Sequence, residues 1–208
     1  MLPQFIHVGS PKVASTWLWK VLQEHPKVYV PECKPVNFFV ADYHQGIAWY
    51  EATYFSGWSG EPVIGELSNG YMVYEPAIER IAHHLPGVQI TMLARDPIER
   101  SYVHWCHYMN RRHFTPDQDM GMEQMFRHGG FLHFMLWLAP SLYAMQLKRI
   151  YRYIPKEQVK VFFYQDLCND PAGFLADYFA FIGADPDFRP SILNTLIGFP
   201  SPQDPANK

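Results

Sequence analysis

Lys12, Ser15 and Thr16 crowd a short stretch between a β-prone run, Phe5-Ile6-His7-Val8, and a segment that places Trp17, Leu18, Val21 and Leu22 at helical spacing. A loop that leaves a strand and opens a helix presents backbone N–H groups without intrahelical partners, and the helix dipole adds positive potential there. Anion binding is the chemistry such a loop supports. Lys12 contributes a point charge, and Ser15 and Thr16 contribute hydroxyl donors. A Walker A loop reads GxxxxGK[ST], whereas here lysine comes three residues after Gly9 and no second glycine precedes it, which argues against an ordinary Mg-ATP or GTP site. Taken alone, the same residues also describe a serine-capped helix with a solvated lysine.

A second cation follows another apolar run. Val88 to Leu93 reads as a strand, and Arg95-Asp96-Pro97-Ile98-Glu99-Arg100 then enters a helix, since proline suits the first helical position. Arg95 therefore falls at the C-terminal end of a strand, the edge at which open parallel sheets bind ligands. Lys12 and Arg95 can face one ligand there despite their separation in sequence. Two cationic anchors suit a ligand with two separated phosphate groups, and the guanidinium can fork onto one of them. Asp96, Glu99 and Arg100 equally suit helix-start and i,i+4 pairing, and the two readings are compatible.

Holding these loops at one edge requires strands that alternate with helices. Apolar runs at Phe5–Val8, Pro62–Gly65, Val88–Leu93 and Val159–Phe163 read as strands. Helical patterns lie at Ser15–Glu24, Gln45–Thr53, Pro76–His84, Pro97–Met109, Leu142–Tyr153 and Pro171–Ile182. The expected fold class is α/β, a P-loop-like three-layer α/β/α arrangement around a central, mostly parallel sheet. One domain over residues 1–190 is expected, followed by a turn-rich, irregular C-terminal tail over 191–208.

Composition narrows the function classes. Of 208 residues, 48% are hydrophobic and 18% charged, and with a mean hydropathy of -0.19 this argues against disorder. A net charge of -3 and a pI near 6.3 argue against nucleic acid as partner, so any anionic ligand must be met locally. Cys33, Cys106 and Cys168 include no CxxC pair, so neither a disulfide framework nor a zinc site is suggested, and no metal is expected. No run approaches the roughly 18 consecutive apolar residues of a membrane span. A cytoplasmic location is expected, and oligomeric state is not legible.

On these residues the chain resembles the PAPS-dependent sulfotransferases, particularly the heparan-sulfate-type branch and its bacterial relatives. The loop from Gly9 to Leu18 resembles the family's 5′-phosphosulfate loop, and Arg95-Asp-Pro-Ile-Glu-Arg100 its 3′-phosphate motif, RDPxER. Pro31-Glu-Cys-Lys-Pro-Val-Asn-Phe-Phe39 is similar to the KEPHFF-like segment, and Gly65-Glu-Leu-Ser-Asn-Gly-Tyr71 to the GEKTPxY-like one. Phe163-Tyr-Gln-Asp-Leu167 with Asp170-Pro171 is similar to FYEDL…DP. The resemblance spans roughly residues 2 to 190. It implies in-line transfer of a sulfuryl group from 3′-phosphoadenosine-5′-phosphosulfate (PAPS), leaving PAP, to a hydroxyl or amine of a carbohydrate or small-molecule acceptor, without a metal. By that likeness Lys12 neutralises charge on the leaving phosphate oxygen. Val13, Ala14, Ser15, Thr16 and Trp17 hold the 5′-phosphosulfate through backbone N–H groups and the Ser15 and Thr16 hydroxyls, and Arg95 grips the 3′-phosphate.

The chain departs from the family pattern at particular positions. Ala14 replaces a glycine, which matters if positive φ is needed there. Val103 replaces a serine, leaving Ser101 as the nearest hydroxyl, about 200° away around the helix by its 3.6-residue period. Pro35 and Asn37 replace the usual catalytic glutamate and the histidine. A general base typically contributes roughly 10²–10⁴-fold, and the candidates left are Glu66, at a strand end on the ligand edge, and Glu32. Asn37 and Phe39 are expected on the acceptor side. The stretch from Gly129 to Pro140 is a candidate acceptor-side lid, and Arg111, Arg112 and Arg127 with His113 and His128 a candidate basic groove. The alternatives are a catalytically weakened PAPS or PAP binding protein and, with less support, a small-molecule kinase.

Overall fold

A computed structural model of the chain describes residues 1–110, 130 and 134–195. Five strands form one sheet: β1 (Phe5–Gly9), β2 (Val28–Tyr29), β3 (Val63–Leu67), β4 (Gln89–Ala94) and β5 (Val159–Phe163). They run in the order β2-β3-β1-β4-β5, and every pairing is parallel. All four strands expected from the apolar runs are present. The additional β2 is two residues long, too short to show any periodicity. The helices are α1 (Ser15–Glu24), α2 (Ile47–Tyr54), α3 (Glu75–His84), α4 (Pro97–Asn110), α5 (Tyr143–Ile150), α6 (Tyr164–Asn169) and α7 (Pro171–Ile182). Of these, α6 is not legible from the sequence, because its single turn and a half follows β5 without a loop.

Side chains alternate across the strands, so each face of the sheet has its own core. On one face Phe5, Leu67, Leu93 and Phe162 pack with Trp17, Leu18, Val21 and Leu22 of α1 and Phe174, Leu175, Tyr178 and Phe179 of α7. On the other, Ile6, Val8, Ile64, Ile90 and Met92 meet Tyr50 of α2, Ile78 and Ile81 of α3, and Ile150 of α5. This is the expected three-layer α/β/α arrangement. A side chain at Gly65 would meet the Phe5 ring at 2.1 Å, so glycine there is what lets β3 and β1 share the crowded α1 face. After α7 the chain is irregular to residue 195 but docked: the Trp17 indole donates to the Ile192 carbonyl at 3.0 Å, and Ser191 binds the Glu24 carboxylate through its N–H and hydroxyl.

Candidate active site

Next to β1 the connections leave in opposite directions, from β1 towards β2 and from β4 towards β5. The crevice between them, at the C-terminal ends of the strands, is where such sheets bind ligands. Three loops meet at this edge. Gly9 ends β1 at φ 143, and a side chain there would strike Met72 Sδ at 2.3 Å and the Asn69 carbonyl at 3.0 Å, so the loop after β3 lies against the loop after β1. Ser10 ties the same loop to β4, its N–H and its hydroxyl both donating to the Leu93 carbonyl at 3.1 Å.

Lys12 and Ala14 adopt left-handed conformations, with φ 70 and 63. Positive φ is thus required where the chain carries alanine in place of glycine. Ala14 occupies the N-cap of α1 and no side chain accepts a hydrogen bond there, so the helix is not serine-capped. Ser15 is its first residue. The amides of the first turn lack intrahelical partners. The Val13 and Trp17 side chains are wholly buried in the core, which leaves those residues only backbone groups to offer a ligand.

Around Ser15 the structure adds two residues that lie within the family-like segments but to which the sequence assigns no role. Lys34 Nζ donates to Ser15 Oγ at 2.9 Å and to Thr16 Oγ1 at 3.4 Å, and Asn69 Nδ2 donates to Ser15 Oγ at 2.9 Å. Burial, and secondarily the charge of Lys12, brings the Lys34 ammonium down to about 7. The two ammonium groups lie near enough for one charge to disfavour the other, and an anion bound beside them would relieve that. Lys34 lies beyond β2, a strand the sequence does not reveal, and Asn69 stands where the family motif has proline. Neither position carries a signal in spacing or hydropathy.

Arg95 follows β4 directly. Its N–H donates to the Tyr143 hydroxyl at 3.2 Å, and that hydroxyl donates back to the Arg95 carbonyl at 2.9 Å. The guanidinium lies 4.6 Å above the Tyr164 ring and pairs with Glu99 Oε2 at 3.2 Å. Its side chain is 12% exposed, enough to present one edge to a ligand. Asp96 is a helix start: its Oδ1 accepts from the Ile98 and Glu99 amides at 3.0 and 2.8 Å.

The remaining candidates separate by burial. Glu66 is fully buried, and burial pushes its carboxyl up to about 8 against the opposing effect of the nearby Tyr71, Tyr50 and Ser68 hydroxyls. Ser68 Oγ lies 3.4 Å from Glu66 Oε2 and accepts from the Asn37 N–H at 3.0 Å. Glu32 is exposed. Asn37 is half-buried at φ 55, whereas Phe39, expected on the acceptor side, is wholly buried against Phe38, Tyr50 and Tyr71 and belongs to the core. Ser101 is also buried, its hydroxyl donating to the Pro97 carbonyl at 2.8 Å and meeting Ser141 Oγ at 3.0 Å, which leaves it a packing role. Arg111, Arg112, His113, Arg127, His128 and residues 129 and 131–133 of the candidate lid lie outside the described residues. From Phe134 that stretch is helical, over Phe134–Leu138 and Ala139–Ser141, and Trp137 and Ala139 are buried. Among the described residues no cluster of three or more His, Cys, Asp or Glu could hold a metal, and no helix is long and apolar enough to cross a membrane.

The sequence matches the family model described as "Sulfotransferase domain" over residues 2–197. It is 28% identical over 184 residues to heparan sulfate glucosamine 3-O-sulfotransferase 3B1 of Mus musculus, covering 88% of this chain and 46% of that protein. It is also 28% identical over 128 residues to the membrane-associated sulfotransferase kil1 of Dictyostelium discoideum, covering 60% of this chain and 27% of that protein. The chain spans about half the length or less of these relatives. Among solved structures, a sulfotransferase from Alicyclobacillus acidocaldarius superposes with a TM-score of 0.77 at 25% identity, covering 96% of this chain and 87% of that one. A mouse sulfotransferase complexed with PAP shares the fold at a TM-score of 0.55 and 15% identity, over 93% of this chain and 63% of that one.

Proposed function

The chain belongs to the sulfotransferase domain family, and from that premise we propose that it transfers a sulfuryl group from PAPS to a hydroxyl or amine, with PAP as the other product. The observation that carries the proposal is the convergence of Lys12, Lys34 and the uncapped start of α1 with Arg95, at the ends of neighbouring strands about 4.8 Å apart. Two anion sites on one crevice suit a nucleotide phosphorylated at two positions. The residues present fit PAPS: amides of the α1 first turn with the Ser15 and Thr16 hydroxyls would hold the 5′-phosphosulfate, and Arg95 the 3′-phosphate. PAPS, when bound, supplies the sulfuryl group. Lys12 and Lys34 neutralise negative charge at the 5′ end, where it grows as the bond to sulfur breaks.

For the acceptor's proton, Glu66 is the group whose affinity suits uptake near neutral pH; because it is buried, it would receive that proton through the Ser68 hydroxyl, which donates to it at 3.4 Å. A rise of rate with pH that Glu66→Gln abolishes and Glu32→Gln leaves intact supports this assignment, and the reverse result moves the role to Glu32. Asn37 faces the acceptor. A carbohydrate acceptor is proposed from the 3-O-sulfotransferase relatives, whose printed names specify heparan sulfate glucosamine. Calorimetric titration with PAP tests the site. Tight binding that Lys12→Ala and Arg95→Ala each weaken at least tenfold, with ATP binding far more weakly, is expected. ATP preferred over PAP, or indifference to both substitutions, overturns the proposal.

A further inference from the structure

Ser15 Oγ is a hydroxyl, with one hydrogen to give and two lone pairs to fill. Lys34 Nζ and Asn69 Nδ2 both donate to it, each at 2.9 Å. The two donors occupy both lone pairs, so the hydroxyl hydrogen is left for an outside acceptor. Such a chain of donors also polarises the hydroxyl, which strengthens the bond it gives. Ser15 is almost wholly buried and is the first residue of α1, among the amides of its first turn.

Two features hold Asn69 beside Ser15. The loop after β3 comes close only because residue 9 is glycine, since any Cβ there meets the Asn69 carbonyl and Met72. Ser68, the residue before Asn69, is anchored by its N–H to the His7 carbonyl at 2.9 Å, and its hydroxyl accepts from the Asn37 amide. Asn69 Oδ1 is buried and lacks a hydrogen-bond partner. An amide that leaves its acceptor unsatisfied in order to donate to a serine is held for that donation.

We propose that Asn69, together with Lys34, is a positioning residue that turns the Ser15 hydroxyl into an obligate donor to the 5′-phosphosulfate end of the nucleotide. This rests on the PAPS reading above. Asn69 acts only through Ser15, so its effect is confined to ligands that carry a 5′ anionic group.

The experiment is a double-mutant cycle in the full chain, with PAP and adenosine 3′-phosphate as the two titrants. Asn69→Ala and Ser15→Ala should each lower PAP affinity roughly tenfold, and the double variant should lose little beyond Ser15→Ala alone. Binding of adenosine 3′-phosphate, which lacks the 5′ group, should stay within twofold throughout. Asn69→Leu, nearly the same size but without a donor, serves if the alanine variant does not fold. It should weaken PAP roughly tenfold and lose most of that effect beside Ser15→Ala. Additive losses, PAP affinity unchanged in Asn69→Ala, or equal weakening of both ligands overturns the positioning role. If the native chain binds adenosine 3′-phosphate but gains nothing from the 5′ group of PAP, the PAPS reading itself falls.

Discussion

Glu66 and Lys34 are both held away from their ordinary protonation states by burial, and in opposite senses. Glu66 keeps its proton up to about 8 in the native chain, whereas the unfolded chain gives it up near 4.5. Between those values the native state binds more protons, so stability falls as pH rises from 4.5 to 8 and levels off above, a loss on the order of a few kcal/mol. Urea unfolding at pH 5 and pH 8.5 should show this decline, and Glu66→Gln should flatten it; an equal decline in the variant means that other groups cause it. Lys34 releases its proton at about 7 in the native chain but at 10.5 when unfolded, so its contribution raises stability as pH climbs through that interval. An anion beside Lys34 restores the proton. PAP binding should therefore take up protons above pH 7, and PAP affinity should fall as pH rises further. Calorimetry in buffers of different ionisation heat reads the uptake directly, and Lys34→Gln should remove it.

The elements that carry family-like motifs divide into those proposed to meet the nucleotide and those that build a helix start. Asp170 shows the second kind: its Oδ1 accepts from the Gly173 amide at 2.9 Å and caps α7, whose Pro171 takes the first turn. Removing such a cap costs about 1 kcal/mol. Asp170→Ala should destabilise by that amount in chemical unfolding while leaving PAP affinity unchanged; a loss of PAP affinity would give α7 a part in the site. Ala14 is the contrasting case, a left-handed residue at the start of α1 that the departure from glycine makes costly by about 1 kcal/mol. Both were open to reading from the residues, because Asp-Pro before an apolar run and a missing glycine in a loop are local signals. Lys34 and Asn69 were legible as motif positions but not as partners of Ser15. Their importance depends on loops after β2 and β3 folding over Ser15, and no local pattern states which loops meet. Phe39 and Ser101 fail for the complementary reason: a motif position says where a residue stands, but its burial is set by Tyr50, Tyr71, Pro97 and Ser141, which come from other parts of the chain.

At the scale of the whole molecule, the sheet order places the ends of β3, β1 and β4 side by side, and with them Asn69, Lys12 and Arg95. The strand and helix alternation legible in the sequence implies a parallel sheet but not this order, and it does not reveal the short β2 that brings Lys34 to the edge. A ligand that spans these loops must order them together, because Ser10 already joins the β1 loop to β4 and Gly9 admits the β3 loop. PAP at about a hundred times its dissociation constant should add about 2.7 kcal/mol to the unfolding free energy. Hydrogen exchange should then show added protection at residues 10–16, 68–70 and 95–99 in one concerted step. Gln4, just before β1, and Gln89, the first residue of β4, lie at the opposite edge of the sheet and should gain only the global increment. Protection limited to residues 10–16 would mean that Arg95 holds no part of the nucleotide, and the two-anchor geometry would have to be abandoned for a site that reads the 5′ end alone.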